Sequence, residues 1–257
     1  MVKQFNEIRK KAFLRFYEEL NDFLPPDKQK KPFAYLFFGS PSIKDVIEAL
    51  GIPHGEVDMI LINGKSESFD YSLKSGDNVS VYPMFESMDI SSTTKVRAKP
   101  LRENKFILDV HLGKTAKNLR MLGFDAHYEN NLDDPEIIEI AQKDKRIILT
   151  RDKELLKNSK VTHGYWVRSK NSDKQISEVI KRFDLYSKIK PFHRCMSCNG
   201  LIEEIEKEKV LDRLEPKTKQ YFNEFFICLG CDKIYWKGSH FERMEAKIAK
   251  LLKAKPN

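Results

Sequence analysis

KFILDVHLGK, residues 105–114, and RIILTRDKELL, residues 146–156, are built alike. Each opens on a basic residue and runs through three apolar residues, Phe106-Ile107-Leu108 or Ile147-Ile148-Leu149. Each then reaches an aspartate just beyond the run, Asp109 or Asp152. An apolar run without polar alternation predicts a strand buried on both faces. Strand and helix patterns alternate around the two: KFILDV, TAKNLRMLG, AHYE, PEIIEIAQKDK, RIILTR, DKELLK, YWVRS and DKQISEVIKRF. This βαβα order over 104–190 predicts an α/β fold with a parallel sheet and right-handed crossovers. Functional groups of such sheets gather beyond the carboxyl ends of the strands, where Asp109 and Asp152 fall.

A third acidic stretch, NNLDDPEII at 130–138, places Pro135 at the first helical position. That makes Asp134 the expected N-cap, flanked by Asp133 and Glu136. All three aspartates also have a plain reading as turn or helix caps, although two at equivalent strand ends fit that reading less well. Carboxylates held together repel, and one takes up a proton unless a cation neutralises them. Mg²⁺ or Mn²⁺ suits oxygen ligands and leaves positions for water and a substrate phosphate. Such an ion lowers the pKa of bound water and stabilises an in-line attack on phosphorus. Lys114, Lys117, Arg120, Arg151 and Arg168 are the nearby basic residues suited to a phosphate backbone.

The four cysteines come as CMSC, Cys195 and Cys198, and CLGC, Cys228 and Cys231. Each pair can turn both sulfurs toward one ion, and two pairs complete a closed, tetrahedral Cys₄ site for structural Zn²⁺. The 29 residues between the pairs exceed the usual ribbon spacing and predict an inserted strand and helix. A redox C-x-x-C is the alternative reading. His193 and His240 are expected to be structural or surface histidines rather than ligands, since four thiolates fill the site. YWKGSH, 235–240, interleaves aromatic and basic groups, which suits either base stacking or packing of a small core. The tail MEAKIAKLLKAK, 244–255, reads as a docked amphipathic helix.

Toward the N-terminus, FAYLFFG, the helix SIKDVIEAL between Ser42 and Gly51, MILINGKSESF and NVSVYP give strands around one helix, with turns at Asn63-Gly64 and Gly76-Asp77. MDISSTTKVRAKP, 88–100, reads as a linker, and SKIKPFHRC, 187–195, as a second boundary. The segments are therefore 1–90, 100–190 and 191–257. Residues 1–99 hold 14 Lys and Arg against 14 Asp and Glu, residues 100–190 hold 19 against 14, and residues 191–257 hold 13 against 10. The net charge of +8 thus lies beyond residue 99, consistent with either a polyanion-binding surface or a solvated charged one. No apolar run suits a membrane span and the first twenty residues are too charged for a signal peptide, so a cytoplasmic protein without membrane contact is expected.

SIKDVIEAL, LINGK, SLKSGD and VSVYP resemble the ubiquitin-like (β-grasp) sulfur carriers over residues 10–87. Those carriers end in Gly-Gly, whereas VYPMFES runs on without glycine, which favours a partner-binding role over sulfur transfer. FILDVHLGKTAKNLRMLGFD and DPEIIEIAQKDKRIILTRDKELL resemble the PIN-like RNase family named for the Mut-seven exonuclease C-terminal domain, over about 104–240. That resemblance implies a PIN-like parallel-sheet nuclease domain, an N-terminal ubiquitin-like domain and a C-terminal zinc ribbon. It implies Asp109, Asp152 and Asp134 as catalytic acids, with Asp109 and Asp152 on Mg²⁺ or Mn²⁺ and Asp173 as a loosely matched fourth acid. Lys117, Arg120, Arg151 and Arg168 would bind RNA. The expected function is a metal-dependent ribonuclease, and the rival is a non-catalytic RNA- or ribosome-binding adaptor on a degenerate nuclease scaffold.

Overall fold

The computed structural model describes residues 9–83, 94–96 and 104–253, so most of the expected linker at 88–100 lies outside the described residues. Contacts group the chain into two compact units. One runs to Arg102 and takes in Asp152–Trp166, and the other comprises Glu103–Arg151 and Val167 onward. No helix among the described residues is long and apolar enough to cross a membrane.

The first unit holds β1 (Lys10–Phe16), β2 (Phe33–Phe37), α1 (Ile43–Ala49), β3 (Val57–Ile62), β4 (Lys65–Glu67) and β5 (Asn78–Pro83). Their order is β2-β1-β5-β3-β4, with β1 and β5 parallel and the other pairs antiparallel, which is the expected β-grasp sheet. Strand β1 shows the two-residue period of a one-sided sheet, burying Ala12, Leu14 and Phe16 while Lys11, Phe13 and Arg15 face out. Ser42 caps α1 by accepting from the Asp45 amide, and Gly51 follows the helix at φ +88°. Asn63 and Gly64 both have positive φ, as a two-residue hairpin turn requires.

The chain continues with β6 (Lys105–Leu108), α2 (Gly113–Met121), β7 (Asp125–His127), α3 (Asp134–Asp144) and β8 (Ile147–Thr150). Next come α4 (Lys153–Lys157) and β9 (Gly164–Trp166), which belong to the first unit, and α5 (Ser172–Arg182). In the first unit, Glu56 accepts from the Trp166 amide (2.5 Å), His54 Nε2 lies 2.9 Å from the Val161 carbonyl, and the Lys153 ammonium sits 3.9 Å from the Trp166 ring centroid.

In the second unit β6 pairs in parallel with β7 on one side and with β8 on the other. The β6–β8 register is Phe106↔Ile147, Ile107↔Ile148 and Leu108↔Leu149, so the two apolar runs of like design are neighbours and end level. Strand β7 lies at the sheet edge.

The cysteine-bearing region contributes β10 (Ile202–Ile205), α6 (Pro216–Tyr221), β11 (Phe225–Cys228), β12 (Ile234–Trp236) and the terminal helix α7 (Ser239–Lys253). Strands β10-β11-β12 form an antiparallel ribbon, and β10 with α6 supplies the expected insertion between the cysteine pairs. Its small core is Val210, Leu214 and Phe225, joined by Ile205, Phe222 and Ile234. Helix α7 buries Ile248 and Leu251, and its Lys247 binds Asn118 (3.1 Å) and Asp173 (2.6 Å). Asp173, the loosely matched fourth acid, is thus a docking partner of the terminal helix. The chain reaches the ribbon past Gly123, where φ is +93° and an added Cβ would lie 2.1 Å from the Lys190 carbonyl.

Candidate active site and metal centre

Asp109 leaves the end of β6 and caps the short 3-10 turn Val110–Leu112. Its residue is only 5% exposed, and a carboxylate buried that deeply requires hydrogen-bond partners. One oxygen accepts from the His111 amide (2.8 Å), and the other from the Arg151 amide (2.9 Å) and the Thr150 hydroxyl. The last two donors belong to the end of β8, so the level strand ends let Asp109 clasp its neighbour. The Asp109 amide in turn donates to the Leu149 carbonyl (3.1 Å). Among the described residues these three donors take three of the roughly four lone-pair positions of a carboxylate.

Asp152 is exposed and caps α4 through the Glu154 amide (2.8 Å). Asp134 is exposed and lies inside α3 rather than capping it. The N-cap is Asp133, which forms a reciprocal capping box with Glu136: each side chain accepts from the other's amide (both 2.9 Å). This corrects the expected N-cap by one residue. The Asp133-x-x-Glu136 spacing is the sequence signal for that box, and it outranks the proline rule.

Lys114 and Lys117 stand exposed on α2, His111 is exposed on the preceding turn, and the Arg151 side chain is exposed beside the clasp. Arg168 is half-buried, and its amide donates to Glu178 (2.8 Å). Arg120, expected to bind RNA, is 3% exposed and faces inward. Its guanidinium donates to the carbonyls of Ala126 (2.8 Å), Tyr128 (3.3 Å), Met196 (3.3 Å) and Ser197 (2.9 Å). A buried cation is tolerable only with such a set of acceptors, and this arrangement leaves no face for a phosphate. Arg120 is therefore a clamp between the sheet edge and the first cysteine pair. Asn199, just after Cys198, completes that clamp: it accepts from the Ala126 amide (3.0 Å) and donates to Asp125 (2.7 Å). Burial alone would raise the Asp125 carboxyl, but Arg146, Asn199 and the charge of Arg194 outweigh it and hold it below the usual carboxylate range.

The four cysteine sulfurs lie within 4.8 Å of one another. Tetrahedral Zn–S bonds of about 2.3 Å would put sulfurs about 3.8 Å apart, and Cys195–Cys231 and Cys198–Cys228 stand at 3.7 and 3.3 Å. Burial pushes the thiols of Cys198, Cys228 and Cys231 up. At Cys195 burial acts the same way, but the Tyr235 hydroxyl (3.0 Å) and the backbone amides of Cys198 and Ser197 carry it down to about 6. Tyr235 is thus a partner of a candidate metal ligand, which the sequence reading of YWKGSH did not foresee. Among the described residues the cysteines are the one group of three or more His, Cys, Asp or Glu side chains placed to hold a metal. The donor set and spacing fit Zn²⁺ in a closed, structural site.

Family comparison agrees with this architecture. Residues 9–89 match the Mut7-C ubiquitin model and residues 104–248 match the Mut7-C RNAse domain model. No curated protein and no solved structure matches the chain. With more than half of its length under one model, and with the buried aspartate at a parallel strand end and the Cys₄ ribbon inside it, the chain belongs to the Mut7-C RNAse domain family.

Proposed function

We propose that the protein is a ribonuclease that hydrolyses RNA phosphodiesters with a divalent cation, and that its central acid is Asp109. The observation that carries this reading is the buried Asp109 carboxylate, clasped by the end of β8, inside the segment that matches an RNase domain. Asp152 and Asp134 are its proposed fellow acids, on the family resemblance. Mg²⁺ is commonly held by one or two carboxylates plus water, so a cation at Asp109 does not need a three-carboxylate cage. When bound, the ion would activate water and stabilise charge on phosphorus. The chain's own part is to fix Asp109 by three donors, and to offer exposed Lys114, Lys117 and Arg151 to the RNA backbone. Cys195, Cys198, Cys228 and Cys231 would hold Zn²⁺ as a structural element. The ubiquitin-like domain is proposed to bind a protein partner.

One observation favours the adaptor reading: no carboxylate group of three or more gathers among the described residues. The test compares wild type, Asp109→Asn and the exposed Asp152→Asn on labelled single-stranded and structured RNA with Mg²⁺, Mn²⁺ or chelator. The nuclease reading expects metal-dependent cleavage that both variants lose. The adaptor reading expects salt-sensitive binding without cleavage in any metal. Cleavage surviving in Asp109→Asn would remove Asp109 from the site.

A further inference from the structure

The β-grasp sheet has two faces, and its core uses one of them. Leu14, Phe16, Ile60 and Val81 turn inward, into one cluster with Val46 and Ile47 of α1. The register then fixes what turns outward: Leu36 beside Lys11, Ala34 beside Phe13, Arg15 beside Ser80, and Ser80 beside Leu61. Phe13 is 38% exposed, Leu36 45%, and Phe38, just past the end of β2, 54%. Large apolar side chains gathered on one open face mark an interaction surface. Two cations stand among them. The Lys11 ammonium lies 5.2 Å from the Phe13 ring centroid and the Arg15 guanidinium 4.8 Å from that of Tyr17. Among the described residues neither cation meets a carboxylate, and no Asp or Glu occupies an outward register position on the five strands. Residues 1–99 are neutral as a whole, so the acids that balance these cations lie elsewhere on the domain.

We propose that this outer face docks an acidic amphipathic helix of another protein, its leucine-like side chains on Phe13 and Leu36 and its carboxylates on Lys11 and Arg15. The proposal rests on the reading of the ubiquitin-like domain as a partner-binding module, and it names the surface and the chemistry of the partner. The occupant follows from charge and shape. A face that is apolar, cationic and free of acids is complementary to a segment that is apolar and anionic, and it repels a basic one. The inner face already shows what this sheet packs against, because α1 lies there with its apolar stripe inward. Lys11 and Arg15 are four strand residues apart, about 13 Å. Carboxylates seven or eight positions apart on one side of a helix, about 11–12 Å, reach both. A nucleic acid suits the face less well, because its rings are already engaged: Tyr17 stacks on Tyr82 with centroids 4.2 Å apart and carries Arg15, while Phe13 carries Lys11. The aliphatic Leu36 and Leu61 offer contacts that side chains use and bases do not.

The test presents the full-length chain with a displayed library of amphipathic helices that carry leucine on one side and, at each flanking position, either glutamate or lysine. The wild type is expected to enrich glutamate at positions seven or eight apart. The double variant Lys11→Glu with Arg15→Glu should reverse that choice and enrich lysine, a swap that a merely structural role for the two cations would not produce. Leu36→Asp should weaken the best binder on the order of tenfold by fluorescence anisotropy. Thermal unfolding of each variant is the check on folding, and both double-variant positions are exposed strand residues. Enrichment without a charge preference, or an unreversed one, would overturn the proposal. Binders that survive Leu36→Asp would keep a protein partner for the domain and move it off this face, whereas no enriched binder at all would overturn face and partner together. Two other occupants would also overturn it: a wild type that sediments as a dimer and becomes monomeric in Leu36→Asp, or a single-stranded RNA whose affinity falls in the same variant.

Discussion

In β6 and β8, seven of eight residues are buried; in the three ribbon strands, two of eleven are, and one of those two is Cys228. The parallel sheet thus draws its stability from apolar surface removed from water. The ribbon has too little of that surface to fold by burial alone, and small domains of this kind rely on a metal or other cross-link. Both lie in one compact unit, joined at the sheet edge by Arg120 and Asn199. Neighbouring regions of one unit can therefore fail for different reasons.

The largest expected effect breaks the ribbon alone. Structural Zn²⁺ contributes about 10–16 kcal/mol to folding in small zinc modules. Cys228→Ser should abolish zinc retention and strip amide protection from β10–β12, while β6 and β8 stay protected in hydrogen exchange. Loss of protection in all of them together would mean that the sheet depends on the metal too. Phe106→Ala, in the fully buried centre of β6, should cost about 3–5 kcal/mol in denaturant unfolding. Its zinc stoichiometry in native buffer should stay at the wild-type value.

Arg120→Met probes the joint. It leaves the carbonyls of Ala126, Tyr128, Met196 and Ser197 without their donor, and should cost about 1–3 kcal/mol. RNA affinity measured at matched folded fraction should not change, because the guanidinium faces no phosphate; a specific loss of affinity would restore Arg120 to the binding surface. The smallest effect is a pH dependence at Asp125. Its carboxyl lies below the unfolded value of about 3.9, so its contribution is present above that pH and is lost as pH falls through the lower folded value. Asp125→Asn should flatten the stability profile below about pH 4 and leave its shape at neutral pH unchanged.

Elements set by local patterns were readable in the sequence. The apolar runs of β6 and β8, the Ser42 cap, the Asn63-Gly64 turn and the two C-x-x-C pairs each declare themselves within a few residues. What escaped reading depends on chain segments far apart. Arg120 looks like an ordinary solvated base on an amphipathic helix, and only the return of residues 196 and 197 over the sheet edge makes it a buried clamp. Thr150 reads as a strand residue until β6 and β8 are paired, when its hydroxyl meets Asp109. Tyr235 could not be assigned to Cys195 from a spacing of 40 positions.

The side-chain amide of Asn199 has a further consequence. Strand β7 ends the sheet, and its central amide, on Ala126, is taken by Asn199 instead of by another strand. An open edge of this kind is a template for pairing between molecules. The ribbon would therefore act as a guard on solubility: a metal-starved chain is expected to uncover β7 and join others edge to edge while its own sheet is still folded. Zinc supply would then set the colloidal behaviour of this protein before it touched the stability of its core.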